Sequence, residues 1–271
     1  MRWMKRSVMA GAAALAVAAV VACTTSPLGR QQLTLFPDAQ LAEMSVHAFQ
    51  QIQDQVPEST DEGVNRYVQC VADAITADVK PPAGEWQVKV FQDDTVNAFA
   101  LPGGEIGVNT GLLRAAENQH QLAAVVGHEV AHVLARHGNE RVSQQFAAEQ
   151  GLALVAVLAS DRSPQTQQLL LAALGVGAQV GILLPFSRAQ ELEADAVGLD
   201  LMASAGFDPR QSVDLWHNMA REGGDEPPRF LSTHPPTKDR IEALAKRAET
   251  VMGDYEKAVA AGRQPNCERP S

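Results

Sequence analysis

Two histidines and a glutamate fall within five residues in His128-Glu129-Val130-Ala131-His132, inside the otherwise apolar stretch VVGHEVAHVLARHG. Residues i and i+4 of a helix share one face, so both imidazoles can reach a single metal ion. Glu129 then stands beside that ion, where a carboxylate can hold and deprotonate a water molecule. Polar groups in an apolar segment are costly unless something pairs with them, and a metal would be that partner. An H-E-x-x-H alone arises by chance in about one such chain in a hundred. The third ligand therefore decides.

A catalytic zinc takes three protein ligands and keeps a fourth position open. The candidate for the third is in Glu191-Leu192-Glu193-Ala194-Asp195. On a helix Glu191 and Asp195 share a face, and Glu193 points elsewhere. Glu191 is expected to ligate, and Asp195 to accept a hydrogen bond from a ligand histidine's other nitrogen, fixing its ring. Taken alone, ELEAD reads as an acidic solvated helix; behind an H-E-x-x-H the metal reading prevails. His137 is expected to serve the C-terminal dipole of its own helix. His47, His120 and His217 are expected at the surface or in local hydrogen bonds.

The HEVAH helix is expected from about residue 118 to 137, stopped by Gly138. Ahead of it, residues 38–56 and 60–79 carry helical apolar spacing (Leu41, Met44, Ala48, Ile52; then Val64, Tyr67, Val68, Val71, Ile75). WQVKVF alternates like a strand, and NAFALPGGEIGVN reads as two short strands around a Pro-Gly-Gly turn. Together they predict a small antiparallel sheet just before the HEVAH helix. Behind that helix, ELEADAVGLDLMASAG predicts a helix stopping at Gly206, and Pro209 starts another to about Glu222. Pro235-Pro236 opens an amphipathic helix with Ile241, Leu244 and Ala245 on its apolar side. The fold class is α+β and mainly helical, with one domain over 38–262 and a short tail, 263–271.

The N-terminus reads as an export signal. Arg2, Lys5 and Arg6 precede an uncharged Ala/Val-rich run over 8–21, and Val20-Val21-Ala22-Cys23 resembles a bacterial lipobox. Residues 1–22 are then a lipoprotein signal peptide, Cys23 the lipidated new N-terminus, and 23–37 a tether. Losing three positive charges takes the net charge from −10 to −13. An acidic chain without a basic stripe is not expected to bind nucleic acid. The two remaining cysteines, Cys70 and Cys267, are an even pair in an exported chain, which favours a disulfide over two unrelated thiols.

The apolar run 169–186 raises the question of a membrane span. A single span there would put Glu191 across the membrane from His128 and His132. The run at 151–160 has only ten residues, too few for a second crossing. The run 169–186 is instead expected as a helix packing over or beside the site.

HEVAH…SRAQELEADAVG…STHPP resembles the gluzincin metallopeptidases of the HtpX and CAAX-prenyl-protease family, especially the lipoprotein and periplasmic members related to LoiP and BepA. The resemblance covers roughly residues 41–240. It implies a zincin-type domain with one Zn²⁺ per chain on His128, His132 and Glu191, and Glu129 as general base. It adds His234 and Arg240, since a His and an Arg six residues apart near the site recur in that family. Either would stabilise the developing oxyanion, and His234 at rest is expected in the metal's open position. The strand Asn97, Ala98, Phe99, Ala100 is implied to be an edge that pairs with extended substrate. The stretch after Arg240 leaves no room for BepA's helical-repeat domain, so a docking role carried by that domain is not expected.

The implied function is a membrane-tethered zinc endopeptidase acting on unfolded or misassembled envelope proteins. By analogy, Thr24 and not Asp after Cys23 points to the outer membrane, facing the periplasm, with outer-membrane assembly machinery as a further partner. The alternative is a zinc-dependent chaperone or assembly factor that binds outer-membrane protein clients with little proteolysis. An intact Glu129 favours the enzyme.

Overall fold

The computed structural model describes residues 23–159, 186–222 and 228–270. The segment expected as a signal peptide, 1–22, and the apolar run up to 185 lie outside them. In chain order, β1 (Cys23–Thr25) and β2 (Gln31–Leu33) form an antiparallel hairpin, followed by α1 (Asp38–Gln55) and α2 (Glu62–Thr76). Next come β3 (Gln87–Phe91), β4 (Ala98–Ala100), β5 (Glu105–Asn109), α3 (Leu112–Ala115), α4 (Gln119–Leu134) and α5 (His137–Ala159). The remainder is α6 (Arg188–Ala205), α7 (Gln211–Glu222), α8 (Arg229–Thr233), α9 (Lys238–Thr250) and α10 (Met252–Ala260). The class is the expected mainly helical α+β.

The described residues divide into two compact units, one drawn from those before 38 and from 139–159, the other from Asp38–Gly138 and the described residues from 186 onward. In the first, the segment expected as a tether carries the β1–β2 hairpin. Glu140, on the first turn of α5, accepts both terminal nitrogens of Arg30 at 2.6 and 2.7 Å. Asn139 donates to the carbonyl of Phe36, and Ser143 accepts from the amide of Leu35.

The second unit holds the site. Its helices start where side chains satisfy the first free amides. Asp61 caps α2, Asn118 caps α4, and Ser187 caps α6 in a reciprocal box with Gln190. Gly206 ends α6 in the left-handed region at φ 84°, as its type allows. The apolar stripe of α2 (Tyr67, Val68, Val71, Ile75) is buried in the core, and α4 is buried along most of its length. A helix apolar on nearly every side belongs inside, and α4 packs against α2, α6 and α7.

Three sequence expectations shift. The sheet before α4 has order β3-β5-β4: β4 and β5 form the expected antiparallel pair, but β3 runs parallel to β5. Alternation identifies strands and not their neighbours; here the six-residue loop 92–97 carries the chain across the end of β5, which sits between the other two. The H-E-x-x-H helix ends at Leu134, not at Gly138. Arg136 takes the left-handed conformation at φ 53°, and a new helix begins at His137. Asp38 holds Arg136 there through its Nε, 2.9 Å away. The helix expected from Pro235-Pro236 starts at Lys238 under a Thr237 cap and breaks at Val251. Cys70 on α2 and Cys267 in the tail are joined in a disulfide, with Cα atoms 5.7 Å apart.

Candidate metal centre

The site lies where α4 crosses α6. Gly127 precedes His128, and a Cβ there would meet the carbonyl oxygen of Gly198 at 3.0 Å. A Cβ on Gly198 would lie 3.0 Å from the amide nitrogen of His128. The absence of both lets the two backbones approach closely enough for Glu191 to reach the histidines.

Four donor-bearing residues converge: His128, His132, Glu191 and His234, with one ligand atom from each within 4.8 Å of all the others. His128 Nε2 lies 3.1 Å from His132 Nε2 and 3.2 Å from His234 Nδ1. Glu191 Oε1 lies 2.8 Å from His234 Nδ1 and 3.5 Å from His132 Nε2. Ligands around a tetrahedral zinc at about 2.0–2.1 Å are spaced by roughly 3.3 Å. The donor types and their spacing therefore fit such an ion. All four side chains are buried, which keeps bulk water from competing for the ligands.

Burial sets the local electrostatics, and the neighbours correct it. Burial pushes His132 well below the ordinary imidazole range, leaving it neutral as a ligand must be. Burial would raise Glu191, but hydrogen bonds with His132 and His234 outweigh it and hold its carboxyl far below the usual range. Burial lowers His128, and Asp195 and Glu191 more than reverse this. For Asp195, hydrogen bonds from Arg240 and His128 overcome burial and keep it ionised.

Asp195 does what its spacing implied: its Oδ1 lies 3.0 Å from His128 Nδ1. Arg240 differs from expectation. Its Nε and Nη2 grip Asp195 at 2.5 and 2.8 Å, its Nη1 lies 2.6 Å from Glu191 Oε2, and its guanidinium stacks over Trp216 at 4.3 Å. A buried guanidinium held by two carboxylates and a ring is not free to meet a reacting oxygen. Arg240 pairs with both acids and holds them in place, which leaves His234 as the candidate to face an oxyanion.

Glu129 lies between the ligand cluster and the edge strand. Its Oε2 accepts from the amide of Ala100 at 3.2 Å, and its Oε1 has no hydrogen-bond partner among the described residues. His234 Nε2 is 3.4 Å from that oxygen. Burial raises the Glu129 carboxyl above its ordinary value, and an orphaned buried oxygen beside a metal site is a place for water. Of the four strand residues, Ala98, Phe99 and Ala100 form β4, at the edge of the sheet, and Asn97 precedes it.

Some functional groups escaped the sequence reading. Glu193 is buried and not turned away, and its Oε2 lies 3.3 Å from His137 Nε2. His137 is wholly buried, with Nδ1 2.9 Å from His132 Nδ1. A helical wheel assigns one inward face, whereas α6 buries Glu191, Glu193 and Asp195 together. Phe186 stacks against His132 and His234, with ring centres 4.2 and 5.6 Å away, and Phe230 against His234 at 4.6 Å. His120 accepts from the amide of Asp208, a partner distant in sequence and not the local one expected. His47 and His217 are exposed.

This H-E-x-x-H helix, crossed by a second helix that supplies a glutamate, is the arrangement found in zinc metallopeptidases. The sequence profile of Peptidase family M48 matches residues 59–248, and the chain belongs to that family. Among curated relatives, the mitochondrial metalloendopeptidase OMA1 of Schizosaccharomyces pombe is 40% identical over 162 residues, 59% of this chain and 46% of that protein. The OMA1 metalloendopeptidase of Danio rerio is 35% identical over 236 residues, 81% and 49% respectively. The beta-barrel assembly-enhancing protease of Escherichia coli is 26% identical over 211 residues, 76% and 43%. The chain thus spans about half the length of these relatives or less.

Proposed function

We propose that this protein is a zinc metalloendopeptidase, tethered through a lipid on Cys23 to the outer membrane and facing the periplasm, that hydrolyses misfolded or misassembled envelope proteins. One observation carries the reading: four candidate ligand atoms, an orphaned carboxylate oxygen and a sheet edge meet at one place. The names of the relatives, metalloendopeptidases and an assembly-enhancing protease, agree with it. The lipobox-like residues 20–23 favour the bacterial envelope over the mitochondrial setting named for the OMA1 relatives.

Bound zinc would supply Lewis acidity toward the attacking water and the scissile carbonyl. His128, His132 and Glu191 would hold it. Glu129 takes the water's proton and later delivers it to the leaving amine, a task suited to a carboxyl whose affinity for protons burial has raised. An extended substrate adds to the β4 edge, so an unfolded segment is taken in preference to a folded one. His234 Nδ1 lies among the ligand atoms, so at rest it would occupy the place that a substrate carbonyl needs. Its departure is the activating step, after which the same imidazole can face the oxyanion.

The test is capture of substrates in cell envelopes by full-length Glu129→Gln. Unfolded outer-membrane or periplasmic proteins should be retained on it and shortened by the wild type. Clients released intact by the wild type would support the chaperone reading instead.

A further inference from the structure

The two ligand histidines are supported in different ways. His128 Nδ1 meets a carboxylate directly, Asp195 Oδ1 at 3.0 Å. His132 Nδ1 meets another imidazole, His137 Nδ1 at 2.9 Å, and only beyond it a carboxylate, Glu193 Oε2, 3.3 Å from His137 Nε2. None of the three groups on this second path reaches solvent appreciably: His137 is 0% exposed, and His132 and Glu193 are each 4% exposed.

The chemistry of the ring nitrogens fixes the direction of this path. His132 turns Nε2 to the ligand cluster, 3.1 Å from His128 Nε2. A neutral imidazole with its lone pair on Nε2 carries its proton on Nδ1. His137 Nδ1 must then accept, so the proton of His137 sits on Nε2. That proton points at Glu193 Oε2, an oxygen that can accept it. Reversing any one link would set two N–H groups against each other or leave a lone pair facing a lone pair.

The backbone is shaped to make this contact. On an unbroken helix, residue i+5 lies roughly 140° around from residue i, facing away. Here Arg136 adopts φ 53° between α4 and α5, and that break returns His137 to the side of α4 that carries His132.

We infer that His137 is a positioning residue for the metal: it receives the Nδ1–H of His132, and Glu193 holds it in the tautomer that can do so. The inference rests on the zinc reading above. A neutral acceptor orients His132 without the charge that Asp195 brings to His128, so the two ligands differ in basicity by construction.

The primary test uses full-length, zinc-loaded wild-type protein with ¹⁵N-labelled histidine. Long-range ¹H–¹⁵N spectra should show His137 protonated at Nε2 and bare at Nδ1, and the reverse tautomer overturns the inference. A second test is zinc affinity by competition with a chelator. His137→Leu, which cannot accept a proton, should bind zinc about 10–100-fold more weakly. His137→Asn, whose amide oxygen can accept from His132, should recover most of that loss. Equal affinity for wild type, Leu and Asn variants overturns the inference and leaves the zinc reading intact. Failure of the wild type to bind zinc removes the zinc reading itself. The tautomer is read on the wild type, so the result does not depend on either variant folding.

Discussion

Gly127 and Gly198 face each other where α4 and α6 cross, so close that a Cβ on Gly198 would sit 3.0 Å from the backbone nitrogen of His128. Backbone cannot swing aside as a flexible side chain does, so Gly198→Ala must part the two helices by a few tenths of an ångström. The fold should survive, by circular dichroism. A misplacement near 1 Å can cost about 100-fold in rate, so a loss of roughly tenfold in peptidase activity is expected from this smaller shift. Unchanged activity would show that the close crossing does not set the ligand geometry.

Arg240 is surrounded by two buried carboxylates and Trp216. Removing one member of such a group leaves charges buried without compensation, at about 3–5 kcal/mol. Arg240→Met should lose stability of that order in urea unfolding. Arg240→Lys keeps the charge but not the fork on Asp195, and should fall between. Were Arg240→Met as stable as wild type but inactive, the oxyanion role would return to Arg240.

Acid stability follows from Asp195. Its folded carboxyl titrates below the ordinary value because hydrogen bonds from Arg240 and His128 outweigh burial. A depressed carboxylate contributes stability that is fully present above its unfolded pKa of about 3.9. That contribution is lost as pH falls through the lower folded value. In metal-free protein, Asp195→Asn should therefore be less stable than wild type at pH 7, with the gap closing below about pH 4. Urea melts across that range read the effect, and a gap unchanged at pH 3 contradicts the assignment.

A ring nitrogen of His234 lies within the ligand cluster. His234→Ala should keep zinc and raise basal cleavage of an unfolded protein substrate. A fall in cleavage with zinc retained would assign His234 to the transition state alone.

Much of this was legible because the chemistry comes in helical spacing. His128, Glu129 and His132 announce their shared ion through i and i+4, and Asp195 is readable as a helical neighbour of Glu191. The strands were visible as alternation, but β3 pairing in parallel with β5 was not, since pairing depends on which way the loop 92–97 turns. The end of α4 was misplaced because glycine is the usual left-handed stop, and here Arg136 takes that role. His137 and Glu193 were invisible for the same reason: without that break, neither the spacing from His132 nor the helical wheel of α6 brings them together. His234 and Arg240 carry no periodic signal, being more than 40 residues from Glu191 in sequence, and only family resemblance pointed to them.

The central claim is that Glu129 acts as the base beside a metal held by His128, His132 and Glu191. Its most direct test measures zinc content and cleavage of an unfolded protein on the same preparations of wild type and Glu129→Gln. One zinc per chain is predicted for both, with cleavage reduced at least about 100-fold in the variant, as loss of a general base implies. Cleavage by Glu129→Gln at the wild-type rate, or a wild type that cleaves without zinc, would contradict the account.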